Sequence, residues 1–222
     1  MIYIIMAGGT YPQWETPKQL LKIHGEPIIA RTIRLLREAG IKDIRISSNN
    51  PVFEQFGLPV LHHENNYTGI EYNKCKGYWC ECFYPTDEPT TYLFGDVVYS
   101  PKAIKKIVEY KGSDIMFFGS APPFPPQYPK QYIEPFAFKV WDTDHLKRAI
   151  QEVKDLHSWG RFNREPIAWE VWNVILRGVN GDVNWIDYNS YVHINDYTCD
   201  IDNPSEIASV ERFVPRASSP PI

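Results

Sequence analysis

Apolar positions along the chain recur with two different spacings. Short continuous apolar runs predict strands at Tyr3–Met6, Asp43–Ser47, Pro59–His62, Thr90–Phe94, Asp114–Phe118 and Phe136–Val140. Apolar positions three and four residues apart predict helices between them, one from Glu26-Pro27 to Gly40 and one over Pro101–Tyr110. Strands and helices that alternate in this way predict a single three-layer α/β/α domain whose twisted sheet is mostly parallel.

The second half of the chain is less regular. Six prolines between Ala121 and Pro135 exclude a regular element and predict a long loop. Further helices are predicted from Asp142 or Thr143 to Val153, over Pro166–Arg177 and over Pro204–Phe213, with strands at Asp182–Tyr188 and Tyr191–Ile194. We expect one domain over residues 1–214 and a flexible tail over residues 215–222.

The composition narrows the class of protein. The 222 residues are 43% apolar and 23% charged, as is usual for a soluble globular protein. A net charge of −4 argues against a broad nucleic-acid surface, and no apolar run approaches the roughly 20 residues of a membrane span. The apolar start of the chain is too short for a signal peptide, so we expect a cytoplasmic protein. Whether the chain forms a homodimer is left open.

The four cysteines do not form a common zinc motif. They are Cys75, Cys80, Cys82 and Cys199, and their spacing lacks the paired knuckles of structural zinc sites. His62 and His63 lie upstream and make a metal cluster conceivable, but reduced and half-buried thiols are the favoured interpretation.

A turn of small residues follows the first predicted strand. It comprises Ala7, Gly8, Gly9 and Thr10, and glycine lets the backbone bend sharply and approach a ligand closely. Exposed N–H groups in such a turn suit phosphate oxygens, and Lys18 follows at a distance that lets a cation fold back over them. Ligands bind open α/β sheets at the carboxyl ends of strands, where this turn lies. Turn and lysine together indicate an enzyme that handles a nucleoside triphosphate, although a tight turn with a solvated lysine has the same pattern.

Three aspartates are candidate metal ligands. Asp96 directly follows a predicted buried strand, at the same sheet edge as the glycine turn. Asp200 and Asp202 lie on one face of an extended segment and offer a second carboxylate far along the chain. Mg²⁺ prefers one or two carboxylates together with phosphate oxygens and water. The competing roles are a turn for Asp96 and helix capping for Asp202 with Asn203.

The run from Lys18 to Gly40, with Gly25-Glu26-Pro27-Ile28 at its centre, shows a family likeness. With the first strand and its turn, it resembles the GT-A-like nucleotidyltransferase superfamily, which includes sugar-phosphate nucleotidyltransferases and molybdenum-cofactor guanylyltransferases. The small phosphocholine-type cytidylyltransferases are the most similar. The resemblance is dense over residues 1–50, thin to residue 110, weak over 120–195, and returns over 196–213. It implies a Rossmann-like fold with an irregular, acceptor-binding second half.

The resemblance also implies a reaction and roles for residues. CMP would pass from CTP to a small phosphorylated acceptor (a sugar phosphate, a phosphocholine-like compound or a phosphonate), with release of pyrophosphate and no protein base. Residues 7–10 would wrap the triphosphate, Lys18 would neutralise the transferred α-phosphoryl group, and Asp96 with Asp202 or Asp200 would hold Mg²⁺. By the same resemblance, Asn65 would lie near the nucleotide and Asn73 near the acceptor.

One cation of the resembled family is missing from its usual position. The family commonly has an arginine just after the glycines, where this chain has Tyr11-Pro12. Lys22, Arg31 and Lys74 are the candidate replacements. A glycosyltransferase on the same fold is one alternative, although its usual D-x-D motif is here a lone Asp96. A non-catalytic nucleotide-binding protein is the other, suggested by the missing arginine.

Aromatic residues suggest a pocket for the acceptor. A cationic, choline-like acceptor would suit an aromatic and acidic cage, for which the candidates are Tyr67, Tyr72, Tyr78, Trp79, Phe83, Tyr84, Trp169, Glu170 and Trp172. Core packing is the stronger expectation for the tryptophans, because Trp at helical spacing is usually buried. We name Glu170, together with Asn73, as the predicted acceptor contacts.

Overall fold

The computed structural model describes residues 1–8, 16–63, 78–126, 128–162, 164–182 and 185–216, with the side chains of residues 78 and 79 left aside. Its strands are β1 (Ile2–Met6), β2 (Lys22–Ile23), β3 (Glu26–Pro27), β4 (Ile44–Ser47), β5 (Val60–Leu61), β6 (Thr90–Phe94), β7 (Val97–Val98), β8 (Ile115–Gly119), β9 (Pro135–Val140), β10 (Val192–His193) and β11 (Cys199–Asp200). Its α-helices are α1 (Ile28–Glu38), α2 (Tyr78–Glu81), α3 (Pro101–Glu109), α4 (Thr143–Ser158), α5 (Ala168–Arg177) and α6 (Ile207–Glu211). Short 3₁₀ helices cover Lys18–Leu20, Pro51–Phe56 and Pro204–Glu206.

A seven-stranded sheet forms the centre, in the order β10-β8-β9-β6-β1-β4-β5. Strand β1 pairs in parallel with β4 and β6, β4 with β5, and β8 with β10. Strand β9 is antiparallel to β6 and β8. It returns through the proline-rich loop without a crossover helix, and an antiparallel neighbour needs no such crossover. The predicted α/β fold with a mostly parallel sheet is therefore confirmed.

Helices cover both faces of the sheet. Helix α1 packs near α3, and α4 packs against α5. Neighbouring residues of β8 point to opposite layers: the ring centre of Phe117 lies 5.0 Å from that of Trp169 in α5, and that of Phe118 lies 5.5 Å from that of Tyr110, just after α3. This alternation follows from the two-residue period of a strand. The central strands are consequently apolar on both faces, as their continuous apolar runs predicted.

The predicted start of the first helix was wrong. Glu26 and Pro27 form a short antiparallel strand with β2, and the helix begins at Ile28. His24 and Gly25 join the two strands with φ angles of 50° and 84°, the left-handed conformation that a two-residue hairpin turn requires. The pattern Glu-Pro before an apolar stripe therefore marks a hairpin arm rather than a first helical turn.

Two predictions in the second half also need correction. No strand occurs in the described part of Asp182–Tyr188, because Arg177 at the end of α5 donates hydrogen bonds to the carbonyls of Asp182 and Trp185, at 2.8 and 2.9 Å. The predicted helix at Pro204 begins as a 3₁₀ turn and becomes α6 only at Ile207. Helix α4, by contrast, starts as predicted, with the Asp142 carboxylate accepting a bond from the His145 N–H at 2.8 Å. No described helix is long and apolar enough to cross a membrane.

Candidate active site

The carboxyl ends of β1 and β6 lie side by side and leave no room for side chains at two glycines. The Gly95 N–H donates to the Met6 carbonyl at 2.9 Å, and a methyl group at Gly95 would lie 2.5 Å from that oxygen. A methyl group at Gly8 would lie 2.6 Å from both Cys82 Sγ and His63 Nε2. Close packing thus explains these two glycines. Of the other predicted members of the turn, Ala7 is buried and its N–H donates to the Ser47 carbonyl at 2.8 Å, so this N–H is not available to a phosphate. Gly9 and Thr10 lie outside the described residues, as do Asn65 and Asn73.

Lys18 brings two distant aspartates together at this sheet edge. Its side chain is only 3% exposed, and its Nζ lies 3.1 Å from Asp202 Oδ1 and 3.5 Å from Asp96 Oδ2. Asp96 occupies the turn between β6 and β7, whereas Asp202 follows β11. Pairing of β7 with β11 delivers the C-terminal segment to this edge, and the Ile201 N–H donates to the Asp96 carbonyl at 3.1 Å. The sequence-predicted lysine and both carboxylates therefore meet in space.

A second buried lysine, missed in the sequence, binds the same acidic segment. Nζ of Lys130 lies within 3.3 Å of four carboxylates, those of Glu134 (2.7 Å), Asp200 (2.5 Å), Asp202 (3.2 Å) and Glu206 (3.3 Å). Lys130 and Glu134 are respectively the one basic and the one acidic residue between Ala121 and Pro135. A single basic and a single acidic residue in a long proline-rich loop are the sequence feature from which this ion pair could have been predicted.

The two lysines take different oxygens of Asp202. Oδ1 contacts Lys18 and Oδ2 contacts Lys130. Burial raises the pKa of Asp202, but the ammonium groups of Lys130 and Lys18 outweigh this effect and hold the pKa below its ordinary value. Burial raises the pKa of Asp96 despite its contact with Lys18, and burial with the neighbouring Asp200 raises that of Glu134. Of Asp96, Glu134 and Asp202, only Asp202 therefore has a pKa that is lowered in the folded protein.

The donor set suits a hard divalent cation. Carboxylate oxygens of Glu134, Asp200 and Asp202 lie within 4.8 Å of one another, and they form the metal-type group found among the described residues. Oxygens on opposite sides of a Mg²⁺ or Ca²⁺ ion lie roughly 4 to 5 Å apart, so these carboxylates could reach one ion with small shifts. Asp200 and Asp202 were predicted for this role. Asp96 lies across Lys18 from Asp202, outside this group of three, and Glu134 was not predicted.

A cleft of about 530 Å³ opens beside these residues. It is lined by Met6, Gly8, Gln19, Cys82, Phe94, Asp96, Tyr132, Ile133, Glu134, Pro135, Arg164, Ile167, Trp169, Ile186, Asp200 and Asp202. Gln19 is 4% exposed, and its amide oxygen is buried without a hydrogen-bond partner among the described residues. A buried polar atom with no partner is costly, which is typical of a group that a ligand completes.

Residues predicted for the acceptor have other partners. Glu170 Oε1 accepts a bond from Arg164 at 2.9 Å, and Oε2 accepts one from the Ile167 N–H at 2.9 Å, which caps helix α5. Glu170 is not among the residues that line the cleft. Phe83 packs in the core with ring centres 5.2 Å from Tyr92 and Phe138. Trp169 and Trp172 are buried in the core, as expected for tryptophans at helical spacing. Trp169 also lines the cleft.

The described candidates to replace the missing arginine, Arg31 and Lys22, lie outside the cleft. Arg31 is buried and donates to the Tyr99 carbonyl and the Tyr197 hydroxyl, each at 3.2 Å. Lys22 projects from β2 and is exposed, and Lys74 is outside the described residues. Neither Arg31 nor Lys22 lines the cleft, where Arg164 is the basic residue among the described lining. Lys18 and Lys130 lie behind this lining, in contact with Asp96, Asp200 and Asp202.

Residues 3–164 match the family model of the MobA-like NTP transferase domain. Two solved structures share the fold at 14% identity: a Bacillus anthracis protein assigned as a glucose-1-phosphate thymidylyltransferase (TM-score 0.57, 98% of this chain and 97% of that one), and the inositol-1-phosphate CTP transferase of T. maritima (TM-score 0.55, 96% and 97%). HddC from Yersinia pseudotuberculosis, in complex with GMP-PN, is similar at 14% identity and a TM-score of 0.53, over 96% of this chain and 99% of HddC. No curated protein sequence matches the chain significantly.

Proposed function

The chain belongs to the family of the MobA-like NTP transferase domain, and from this membership we propose that it transfers a nucleoside monophosphate to a small phosphorylated acceptor. The nucleotide donor is a nucleoside triphosphate, with CTP favoured. An oxygen of the acceptor phosphate attacks the α-phosphorus, the bond from that phosphorus to the bridging oxygen breaks, and pyrophosphate leaves. An acceptor phosphate is already ionised at neutral pH, so no protein base is required.

The observation that carries this proposal is the position of Lys18 between Asp96 and Asp202, at the sheet edge where Asp96 and Gly8 line one cleft. Lys18 offers the positive charge that an α-phosphoryl group needs as it is transferred. Asp202 with Asp200, and Asp96 on the other side of Lys18, would hold Mg²⁺. The ion would supply positive charge that stabilises the charge developing on the phosphate oxygens. The remaining work of the chain is to position the two phosphates, and positioning can supply a large part of the rate.

The acceptor we favour is a phosphorylated sugar or polyol rather than phosphocholine. A quaternary ammonium group needs aromatic faces and an acidic partner, but Glu170 is bound by Arg164 and by the start of helix α5. The cleft instead offers the apolar edges of Ile167 and Trp169 beside Arg164. Two proteins of similar structure are named for glucose-1-phosphate and inositol-1-phosphate, which supports this choice. A cytoplasmic location, a homodimer and the CTP preference stay predictions.

The test is a pyrophosphate-release screen of four nucleoside triphosphates against phosphorylated sugars, polyols and amino alcohols, with Mg²⁺. We expect turnover that falls by a factor of about 100 or more in Lys18→Met and in Asp96→Asn. Lys105→Met is the matched control, because Lys105 is 71% exposed on α3 and its ion-pair partner among the described residues is Glu109. If the protein consumes a nucleotide sugar supplied as the donor, and no nucleoside triphosphate yields pyrophosphate, it is a glycosyltransferase. Nucleotide binding without turnover of any acceptor would identify a non-catalytic protein, and either result overturns the proposal.

A further inference from the structure

Lys130 fills the space at which its carboxylate partners converge. Its Nζ contacts Glu134, Asp200 and Asp202, whose oxygens lie within 4.8 Å of one another. Its side chain is only 6% exposed. The ammonium group therefore stands where a divalent cation would have to stand to use the same three oxygens.

We propose that the Lys130 ammonium and a divalent cation exclude each other from the Glu134–Asp200–Asp202 group, so that Lys130 must leave before these carboxylates can bind metal. Two positive charges cannot share oxygens at contact distance, because their repulsion is strong in a site shielded from water. Ammonium holds these oxygens at 2.5 to 3.2 Å, whereas a divalent cation draws its ligands to about 2.1 to 2.6 Å. The lysine is thus a built-in competitor that lowers the metal affinity of the free protein.

The architecture lets the lysine move while the carboxylates stay. Lys130 lies in the loop between β8 and β9, outside any helix or strand. Asp200 belongs to β11, and Glu134 directly precedes β9. Tyr132 is a neighbour on the solvent side, because its ring centre already lies 5.2 Å from the bound Lys130 Nζ and its side chain is half exposed. Cation–π contact there can hold the ammonium after it leaves the acids.

Asp202 connects this exchange to the rest of the site. Its Oδ1 contacts Lys18 and its Oδ2 contacts Lys130, so departure of Lys130 frees one oxygen while Lys18 keeps the other. The inference rests on the proposed function only in assigning Asp200 and Asp202 to the metal. It concerns the protein without nucleotide, so its test uses the metal alone.

The first experiment measures Mn²⁺ binding to the full-length protein by titration calorimetry and by electron paramagnetic resonance of free Mn²⁺. We expect Lys130→Met to bind Mn²⁺ about tenfold or more tightly than the wild type, because the competing charge is gone. Lys130→Arg, which keeps the charge, and Lys105→Met, which removes a surface charge, should bind like the wild type. Equal or weaker binding by Lys130→Met overturns the proposal.

The second experiment needs no variant, and it decides the question if Lys130→Met does not fold. An amine-acetylating reagent is applied to the wild type with and without saturating Mn²⁺, and modification of each lysine is measured by mass spectrometry. We expect Lys130 to react several-fold faster with Mn²⁺ because it has been released, while Lys105 stays constant. An unchanged or slower reaction of Lys130 overturns the proposal. Pyrophosphate release could persist in that case, so failure here is distinguishable from failure of the proposed function.

Discussion

Replacing Lys130 by methionine should lower the free energy of unfolding by about 3–5 kcal/mol at pH 7. Methionine keeps much of the length and apolar stem of lysine but carries no charge. The substitution leaves four carboxylates without their shared cation: Glu134 is 1% exposed, Asp200 18%, Glu206 26% and Asp202 49%. Removing one partner of a buried ion pair is costly because the other charge stays behind, poorly solvated.

The location of the carboxylates sets the size of this effect. Glu134 is 1% exposed, but its raised pKa lets the carboxyl group hold a proton, whereas Asp202 is 49% exposed and can be solvated in place. We therefore assign most of the loss to Asp200. A domain of this kind is stable by about 5–15 kcal/mol, so the variant would keep a fold but with a much reduced margin. Adding Glu134→Gln to Lys130→Met should restore no more than about 1 kcal/mol, because the raised pKa of Glu134 means that this carboxyl group carries little negative charge at pH 7.

Urea unfolding at pH 7 and at pH 5 measures the effect, with Lys105→Met as the control. In the wild type, burial raises the pKa of Asp202 but Lys130 and Lys18 lower it overall. The stability from a lowered carboxyl pKa is present above the ordinary pKa and is lost as the pH falls through the folded value. In the variant, acid neutralises carboxylates that repel one another. The difference in the free energy of unfolding between wild type and variant must therefore be smaller at pH 5 than at pH 7. A gap below about 1 kcal/mol at pH 7, or one that widens in acid, refutes the reasoning.

Three further substitutions test separate parts of the structure. Gly8→Ala should weaken nucleotide binding about tenfold or more in calorimetry, because the new methyl group would lie 2.6 Å from Cys82 Sγ; binding equal to wild type would contradict the packing argument. Lys139→Met should cost about 2–4 kcal/mol in urea unfolding, since its Nζ bonds the carbonyls of Ile107, Val108 and Tyr110 at the end of α3. Gln19→Leu should keep or raise the melting temperature while it weakens nucleotide or acceptor binding; lower stability with unchanged binding would show that the amide is structural.

Much of the nucleotide half of the site follows from local sequence. A continuous apolar run forms a buried strand, small residues allow the tight approach at its end, and Lys18 follows at a fixed short distance. These features are local, so the order of residues is sufficient to predict them. The parallel sheet can be predicted equally well, because strands separated by helices have few other ways to pair. Membership of the family, confirmed over residues 3–164, rests on the same N-terminal part of the chain.

Prediction from the sequence was weaker where the interacting residues are far apart along the chain. Asp202 was expected near Asp96, but its contact with Lys18 across 184 positions depends on the pairing of β7 with β11, two strands too short to predict. Glu170 carried the charge expected of a cage, and only the folded chain shows that Arg164 and the Ile167 N–H already bind it. Burial and competition among charges are properties of the assembled structure and have no local pattern.

The sequence by itself determined that this is an α/β domain, and it predicted that a glycine turn, a lysine and scattered carboxylates serve a triphosphate. Only the tertiary structure decided which carboxylates converge, and that Lys130 stands among them. The physical reason is that secondary structure and turns depend on neighbours along the chain, whereas the strength of a charge depends on every group and every water molecule around it. A lysine in a proline-rich loop is unremarkable in sequence; enclosed by Glu134, Asp200, Asp202 and Glu206, it becomes the main counter-charge of the acidic cluster.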